Sequence, residues 1–251
     1  MGVIGRKRVM KRFLITALSL FVVASAIGAT PNNDRIFANI NDVDSPFYYP
    51  NLILRYKEGK PMSKEEYHHL YYGYAFQPSY KPLEVNSAMA RVQEVMARIS
   101  IDKPSIHDID ELIAAGLAAM EHDPFSPTLL NILVYAYGAS GDRVRELAYS
   151  DHLNGILRCI EESGDGLKEK SPMHIIMFSH GLDYIASKNI NYLKGRIISR
   201  TVEFVPFDFP KDKVKGFYFD YSRIYWNKPE NYTFKRERTW QFNNLKPREY
   251  K

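Results

Sequence analysis

The sequence predicts an α+β fold, in which N-terminal and middle helical hairpins pack with a small C-terminal antiparallel β-sheet. Residues 30–162 carry apolar residues at helical spacing between proline and glycine breaks. Residues 163–226 are β-rich, because their aromatic and β-branched segments have the composition of strands. The chain is long enough to bury a core, so we expect a single domain over residues 30–251, of which residues 227–251 form a C-terminal extension.

Start and stop signals define the predicted helices. Residues 30–50 are rich in Pro, Asn and Asp and predict a lead-in loop. The clearest helix start is Ser63, because Glu66 three residues later completes a capping box. The periodicity around Cys159 predicts that this cysteine lies on the buried side of a helix rather than acting as a catalytic thiol. Helices are expected over residues 51–58, 64–76, 83–99, 106–121, 127–139 and 142–162.

The middle helices resemble the tetratricopeptide helix hairpin. The matching positions are Ala119, Pro124, Leu130, Leu133, Tyr137 and Gly141. The match covers about one and a half units, and Glu146 stands where the motif has alanine. Because a solenoid needs about three repeats to bury its face, we predict a helical-hairpin layer rather than a repeat array.

The β-rich part begins after the turn at residues 163–166. Residues 174–178 are apolar and strand-like. Residues 192–209 and 216–226 are expected to form a β-hairpin around Pro210-Lys211-Asp212.

Residues 1–29 predict a cleavable secretory signal peptide. A basic stretch over residues 1–12 precedes an apolar stretch over residues 13–23, which is short for a membrane span of about 20 residues. Small residues follow, and cleavage is expected after Ala26 or Ala29. We therefore expect an exported protein that is periplasmic or secreted, with no transmembrane span after cleavage; an uncleaved N-terminal anchor is the alternative.

The net charge of +5 belongs to this N-terminal stretch. Residues 1–26 hold five of the 34 basic residues and no acidic one, which leaves 29 of each sign and argues against a nucleic-acid partner. Residues 27–187 carry 14 basic and 22 acidic side chains, whereas residues 188–251 carry 15 and 7. The opposite charges predict that the sheet docks on the helices; a basic tail that contacts an acidic partner is the alternative.

Four phrases of the chain are distinctive: Leu70-Tyr-Tyr-Gly-Tyr-Ala-Phe-Gln-Pro78, Asp123-Pro-Phe125, Ser163-Gly-Asp-Gly166 and Ser171-Pro-Met-His174. Together with the signal peptide they resemble an uncharacterised family of exported proteins of Bacteroidetes, known only as a domain of unknown function. The resemblance covers most of the mature chain. It implies export and one continuous domain, and it implies no activity, cofactor or catalytic residue.

Four residues are candidates for chemistry. On a continuous strand His174 and His180 would share one face, and Asp165 and Asp183 flank them. Two histidines and an aspartate could bind zinc or perform acid–base catalysis. The alternative is that the histidines are structural hydrogen-bonding groups, since Gly181 is expected to break the strand. No third ligand has a reliable spacing, so we predict neither a metal nor a cofactor.

Aromatic residues are the other candidates, as rings that could stack on a sugar or a peptide. The alternative for the first cluster is a staple between an N-terminal helix and the hairpin layer, and some C-terminal rings must face away from the core. The candidate interaction residues are Tyr71, Tyr72, Tyr74, Phe76, Tyr218 and Trp226.

The sequence leaves two classes of function open. The first is an exported non-catalytic binding or accessory module for an envelope protein, peptide or glycan. An envelope-maintenance factor without a small ligand would have the same sequence features. The second is a hydrolase-type or metal-dependent enzyme that uses the cluster around residues 165–183. No Gly-x-Ser-x-Gly or His-Glu-x-x-His motif is present, which favours the first class.

Overall fold

The structure, a computed structural model, describes residues 30–100, 103–226 and 228. The predicted signal peptide and nearly all of the predicted C-terminal extension lie outside these residues. The helices are α1 (Asn33–Asn41), α2 (Tyr49–Lys57), α3 (Lys64–Gly73), α4 (Met89–Arg98), α5 (Ile106–Met120), α6 (Pro127–Ser140), α7 (Arg143–Glu161) and α8 (Phe178–Ser187). The strands are β1 (Met173–His174), β2 (Arg196–Ile197), β3 (Val202–Lys211) and β4 (Val214–Asp220), and short 3-10 helices cover Tyr74–Phe76 and Ser222–Tyr225.

Side-chain caps set the starts of the predicted helices. Ser63 and Glu66 form the predicted capping box at α3, and Ser105 accepts a hydrogen bond from a backbone N–H in the first turn of α5. Gly141 closes α6 with a φ of 82°, a left-handed conformation that glycine adopts without steric cost. These local signals explain why α5, α6 and α7 lie close to their predicted bounds.

The helices form two adjoining cores. In the larger one α3 is central, since it contacts α1, α2 and α7 and fully buries Leu70, Tyr71 and Tyr72. The smaller core lies between α4, α5 and α6. Cys159 is buried in α7, as its periodicity predicted, and burial raises the pKa of its thiol. No helix within the described residues is long and apolar enough to cross a membrane.

The sheet has the strand order β1-β4-β3-β2. The predicted antiparallel hairpin is confirmed as β3–β4, but its turn is Asp212-Lys213, which shares only Asp212 with the predicted turn. The sheet is mixed rather than purely antiparallel, because β1 pairs in parallel with β4. Val205 and Phe219, which are fully buried, join the sheet to the larger helical core, so apolar contacts hold the two parts together.

Several predicted elements also differ from the structure in their bounds or type. The expected lead-in loop contains α1, whose Ile36 and Ile40 enter the core. The strand expected over residues 174–178 stops after His174, and α8 begins at Phe178. Helix α4 begins at residue 89 instead of 83, after a series of turns.

Candidate functional site

His180 lies in a fully buried chain of three side chains. Its Nε2 is 3.1 Å from Oδ2 of Asp123, and its Nδ1 is 2.8 Å from the hydroxyl of Tyr71. A carboxylate only accepts hydrogen bonds, so Nε2 carries the proton and Tyr71 donates to Nδ1 when the ring is neutral. His180 is 0% exposed and Asp123 8%, and no reactant reaches the ring from solvent in this conformation. The chain therefore ties α3 and α8 to the loop before α6.

His174 belongs to a different group. Its Nδ1 lies 3.5 Å from Oδ1 of Asp220, at the end of β4. Asp220 accepts hydrogen bonds from the backbone N–H of Ser222 and from the hydroxyl of Thr201. Burial acts to raise the pKa of Asp220, but His174 and the Ser222 hydrogen bonds outweigh it and lower the pKa to about 2. Asp220 is thus held as a carboxylate that anchors the segment after β4.

The two acidic candidates each accept hydrogen bonds from other side chains or from the backbone. Asp165 accepts hydrogen bonds from the N–H of Leu167 at 2.8 Å and from the hydroxyl of Ser171 at 2.6 Å, which shapes the turn before β1. Asp183 accepts a hydrogen bond from the hydroxyl of Thr128 at 2.8 Å. Burial raises the pKa of Asp183, and Thr128 and His180 act in the opposite direction.

The four candidates do not converge on one site. The shared strand face was wrong, because His174 lies on β1 whereas His180 lies in α8. Of the four, Asp183 and His180 are the pair that interact electrostatically. Among the residues that the structure describes, no group of three or more His, Cys, Asp or Glu side chains could hold a metal ion.

The three candidate tyrosines of α3 and the following turn are buried. The hydroxyl oxygen of Tyr72 lies 3.0 Å from the carbonyl oxygens of both Cys159 and His174, which share its one hydrogen, so Tyr72 joins α3 to α7 and β1. Tyr71 joins α3 to α8, and Tyr74 packs edge-on against Phe125 at 5.3 Å. These rings are core groups and present no surface to a ligand.

Phe76 and Trp226 lie in a different setting, at the surface. Phe76 stands between Phe37 of α1 and Trp226, with ring centres 5.2 Å and 5.0 Å apart. Phe37 is 51% exposed and Trp226 38% exposed, and Phe76 is half-buried. We call this trio the aromatic surface. The sequence analysis identified Phe76 and Trp226 but missed Phe37, which lies in the helix that had been predicted as a loop.

A buried arginine supports the aromatic surface. The guanidinium carbon of Arg223 lies 5.7 Å from the ring centre of Trp226 and 4.8 Å from that of Tyr72. Its Nη2 donates to Oδ1 of Asn33 at 2.6 Å and to the carbonyl of Pro31 at 3.2 Å. Burial lowers the pKa of Arg223, and nearby tyrosines and Asp220 oppose this shift. Arg223 thus fixes Trp226 against the N-terminal end of the described chain.

Tyr218 lies apart from the other candidates. Its ring packs on Phe204 of the neighbouring strand at 4.7 Å, on the face of the sheet opposite Val205 and Phe219. Arg196 stands over Phe204 at 5.4 Å. Tyr218 is half-buried and forms part of a cross-strand ladder.

A cavity of about 640 Å³ opens between the start of α3, the middle of α7 and the end of α8. Both signs of charge line it, among them Lys64, Asp151, Arg158 and Lys188. Lys188 pairs with Glu161 at the end of α7, and Lys64 pairs with Glu162, the next residue. This mixed lining selects no ligand of one chemical type.

A protein-family model described as a domain of unknown function (DUF4919) matches residues 34–229. The match spans the helices and the sheet, from α1 to the segment that follows Trp226. No curated protein and no solved structure matches the chain.

Proposed function

We propose that this chain, which belongs to the family of the domain of unknown function DUF4919, is an exported, non-catalytic binding or accessory protein of the cell envelope. Its ligand is a protein, a peptide or a glycan. The observation that supports this proposal most directly is the aromatic surface, where Phe76 contacts both Phe37 and Trp226 and the rings reach the solvent.

The rigidity of the aromatic surface suits recognition. Phe37 is carried by α1, Phe76 by the short helix after α3, and Trp226 is held by Arg223. Binding to rings that are already fixed loses little side-chain entropy. Aromatic rings contribute strongly to binding because they bury a large area, and tryptophan is enriched among residues that dominate interface energies.

Tryptophan fluorescence tests the proposal. The chain has two tryptophans, so a Trp240→Phe variant that begins at Thr30 reports on Trp226 alone. The immobilised protein is incubated with envelope extract, and retained proteins and glycans are identified and then titrated in purified form. A ligand of the aromatic surface shifts the Trp226 emission and is lost from a Phe37→Ser variant. A Leu54→Ser variant is the control, since Leu54 is a comparably exposed apolar residue on α2. A ligand that binds the Phe37→Ser variant equally well contradicts the proposal.

The alternative is a hydrolase that uses the residues around 165–183. His174 is the candidate that favours it, since its Nδ1 faces Asp220 in the manner of an oriented base and makes no hydrogen bond within the described residues. The separation of His174 from His180 speaks against a shared catalytic centre. Screening with ester, peptide and glycoside substrates distinguishes the two, because an enzyme loses turnover in His174→Ala while keeping its melting temperature.

A further inference from the structure

Within the described residues, one edge of the sheet concentrates exposed apolar side chains. Strand β2 is the edge strand, and the segment before it continues along β3 through the Tyr192–Phe207 bridge. Phe209, near the tip of the hairpin, is 76% exposed. The large apolar residues exposed along this edge and tip are Tyr192, Leu193, Ile197, Ile198 and Phe209.

Basic residues are interspersed with these apolar residues. Between residues 192 and 215 there are six basic and three acidic side chains. Among the residues that the structure describes, Arg200, Lys213 and Lys215 make no ion pair. These three exposed charges are therefore directed to the solvent, whereas the docking of the sheet on the helices depends on apolar contacts. Lys188, the residue after α8, pairs with Glu161 of α7, so this ion pair lies within the helical layer.

We propose that this edge and hairpin tip, with Phe209 at its end, bind the surface of an anionic lipid bilayer. Apolar side chains of this kind enter the boundary between headgroups and acyl chains, and the lysines and arginines around them are attracted to anionic headgroups. The proposed contact is peripheral, because it is made by side chains of the sheet edge and hairpin tip. The proposal goes beyond the ligand-binding role of the aromatic surface and does not depend on it.

The geometry favours a lipid over an extended acidic peptide that would add to the sheet. Strand β2 has two residues, and one extra residue lies between its pairing with β3 at Arg196–Phe204 and the bridge at Tyr192–Phe207. Such a bulge twists the edge and makes it a poor template for a further strand. Phe209 also lies beyond the paired part of β2, where an added strand would leave it uncovered.

Vesicle sedimentation tests the proposal. The protein that begins at Thr30 is mixed with phosphatidylcholine vesicles or with vesicles that also contain phosphatidylglycerol, at low and at high salt. We expect binding to the anionic vesicles alone, weakened by salt. Lys213→Glu/Lys215→Glu is expected to reduce it at least about thirtyfold, because two attractions are lost and two repulsions are added, and Phe209→Ser about tenfold.

Matched variants serve as controls. Lys57→Glu/Lys103→Glu changes the net charge by the same amount, and Ile106→Ser removes an exposed apolar residue of the helical layer. Phe37→Ser removes part of the aromatic surface and is expected to keep lipid binding. Circular dichroism melts establish that every variant is folded. The proposal would be overturned if the protein bound neutral vesicles as well as anionic ones, or if Lys57→Glu/Lys103→Glu reduced binding as much as Lys213→Glu/Lys215→Glu. Binding of an acidic peptide with no binding of vesicles would also overturn it.

Discussion

Replacing Gly155 with alanine is expected to destabilise the protein, although alanine is the better helix former. Gly155 lies in the middle of α7, where α3 crosses it. A Cβ atom there would stand 2.6 to 2.7 Å from three ring carbons of Tyr67. The Tyr67 ring cannot withdraw freely, because its hydroxyl lies 2.9 Å from Nδ1 of His152, whose Nε2 donates to the carbonyl of Tyr56 at 2.8 Å.

The expected cost is the balance of three contributions. Forcing a methyl group into this packed crossing costs about 1–3 kcal/mol. Displacing Tyr67 leaves the buried Nδ1 of His152 without its donor, at about 1–3 kcal/mol. Alanine gains up to about 1 kcal/mol over glycine in a helix interior. The net destabilisation is about 3 kcal/mol, or a fall in Tm of about 6–12 °C for a domain of this size.

Urea denaturation followed by circular dichroism measures this cost, on the protein that begins at Thr30. Gly141→Ala is the control, because no atom lies within 4 Å of the new Cβ and its φ of 82° alone costs about 1 kcal/mol. Tyr67→Phe isolates the hydrogen bond by keeping the ring. A Gly155→Ala variant that is as stable as the unmodified protein would refute the reasoning.

Three further predictions concern pH, a turn and the buried chain. Burial lowers the pKa of His152 to about 4 and, in the same way, that of His68, so the folded protein excludes protons that the unfolded chain takes up below about pH 6.5. The free energy of unfolding is therefore highest above pH 6.5 and falls toward pH 4. In urea titrations at several pH values, His152→Gln should reduce this dependence on pH. An unchanged dependence would contradict the role given to His152. Lys213→Gly is expected to stabilise the hairpin by about 0.5–1 kcal/mol, because Lys213 has a φ of 70°; a lower Tm would argue against this turn. Asp123→Asn is expected to lower the free energy of unfolding by about 1–3 kcal/mol, since an amide is a poorer hydrogen-bond partner for His180 than a carboxylate. Ligand binding at the aromatic surface should be unchanged. Loss of binding without loss of stability would contradict a structural role for Asp123.

The candidate residues show which contacts can be predicted from spacing along the chain and which cannot. His174 and His180 were paired because six residues would put them on one face of a strand, but Gly181 and the apolar residues around it belong to a helix. Their partners Asp220 and Asp123 are distant in sequence, and no local pattern connects them. The sequence analysis missed Phe37 because α1 places only Ile36 and Ile40 in the core. Two apolar residues among polar ones are too few to predict a helix from periodicity.

Features that depend on neighbouring residues could be predicted from the sequence alone. These are the α+β class, the capped starts of α3 and α5, the glycine end of α6 and the β3–β4 hairpin, since caps, turns and periodicity act over a few residues. The tertiary structure was needed to show which aromatic rings are buried, which histidine faces which aspartate, and which basic residues of the sheet are exposed to solvent. Burial and long-range pairing depend on every element packed around a side chain, so the surface formed by Phe37, Phe76 and Trp226 exists only once α1 and the last helix of the described chain meet.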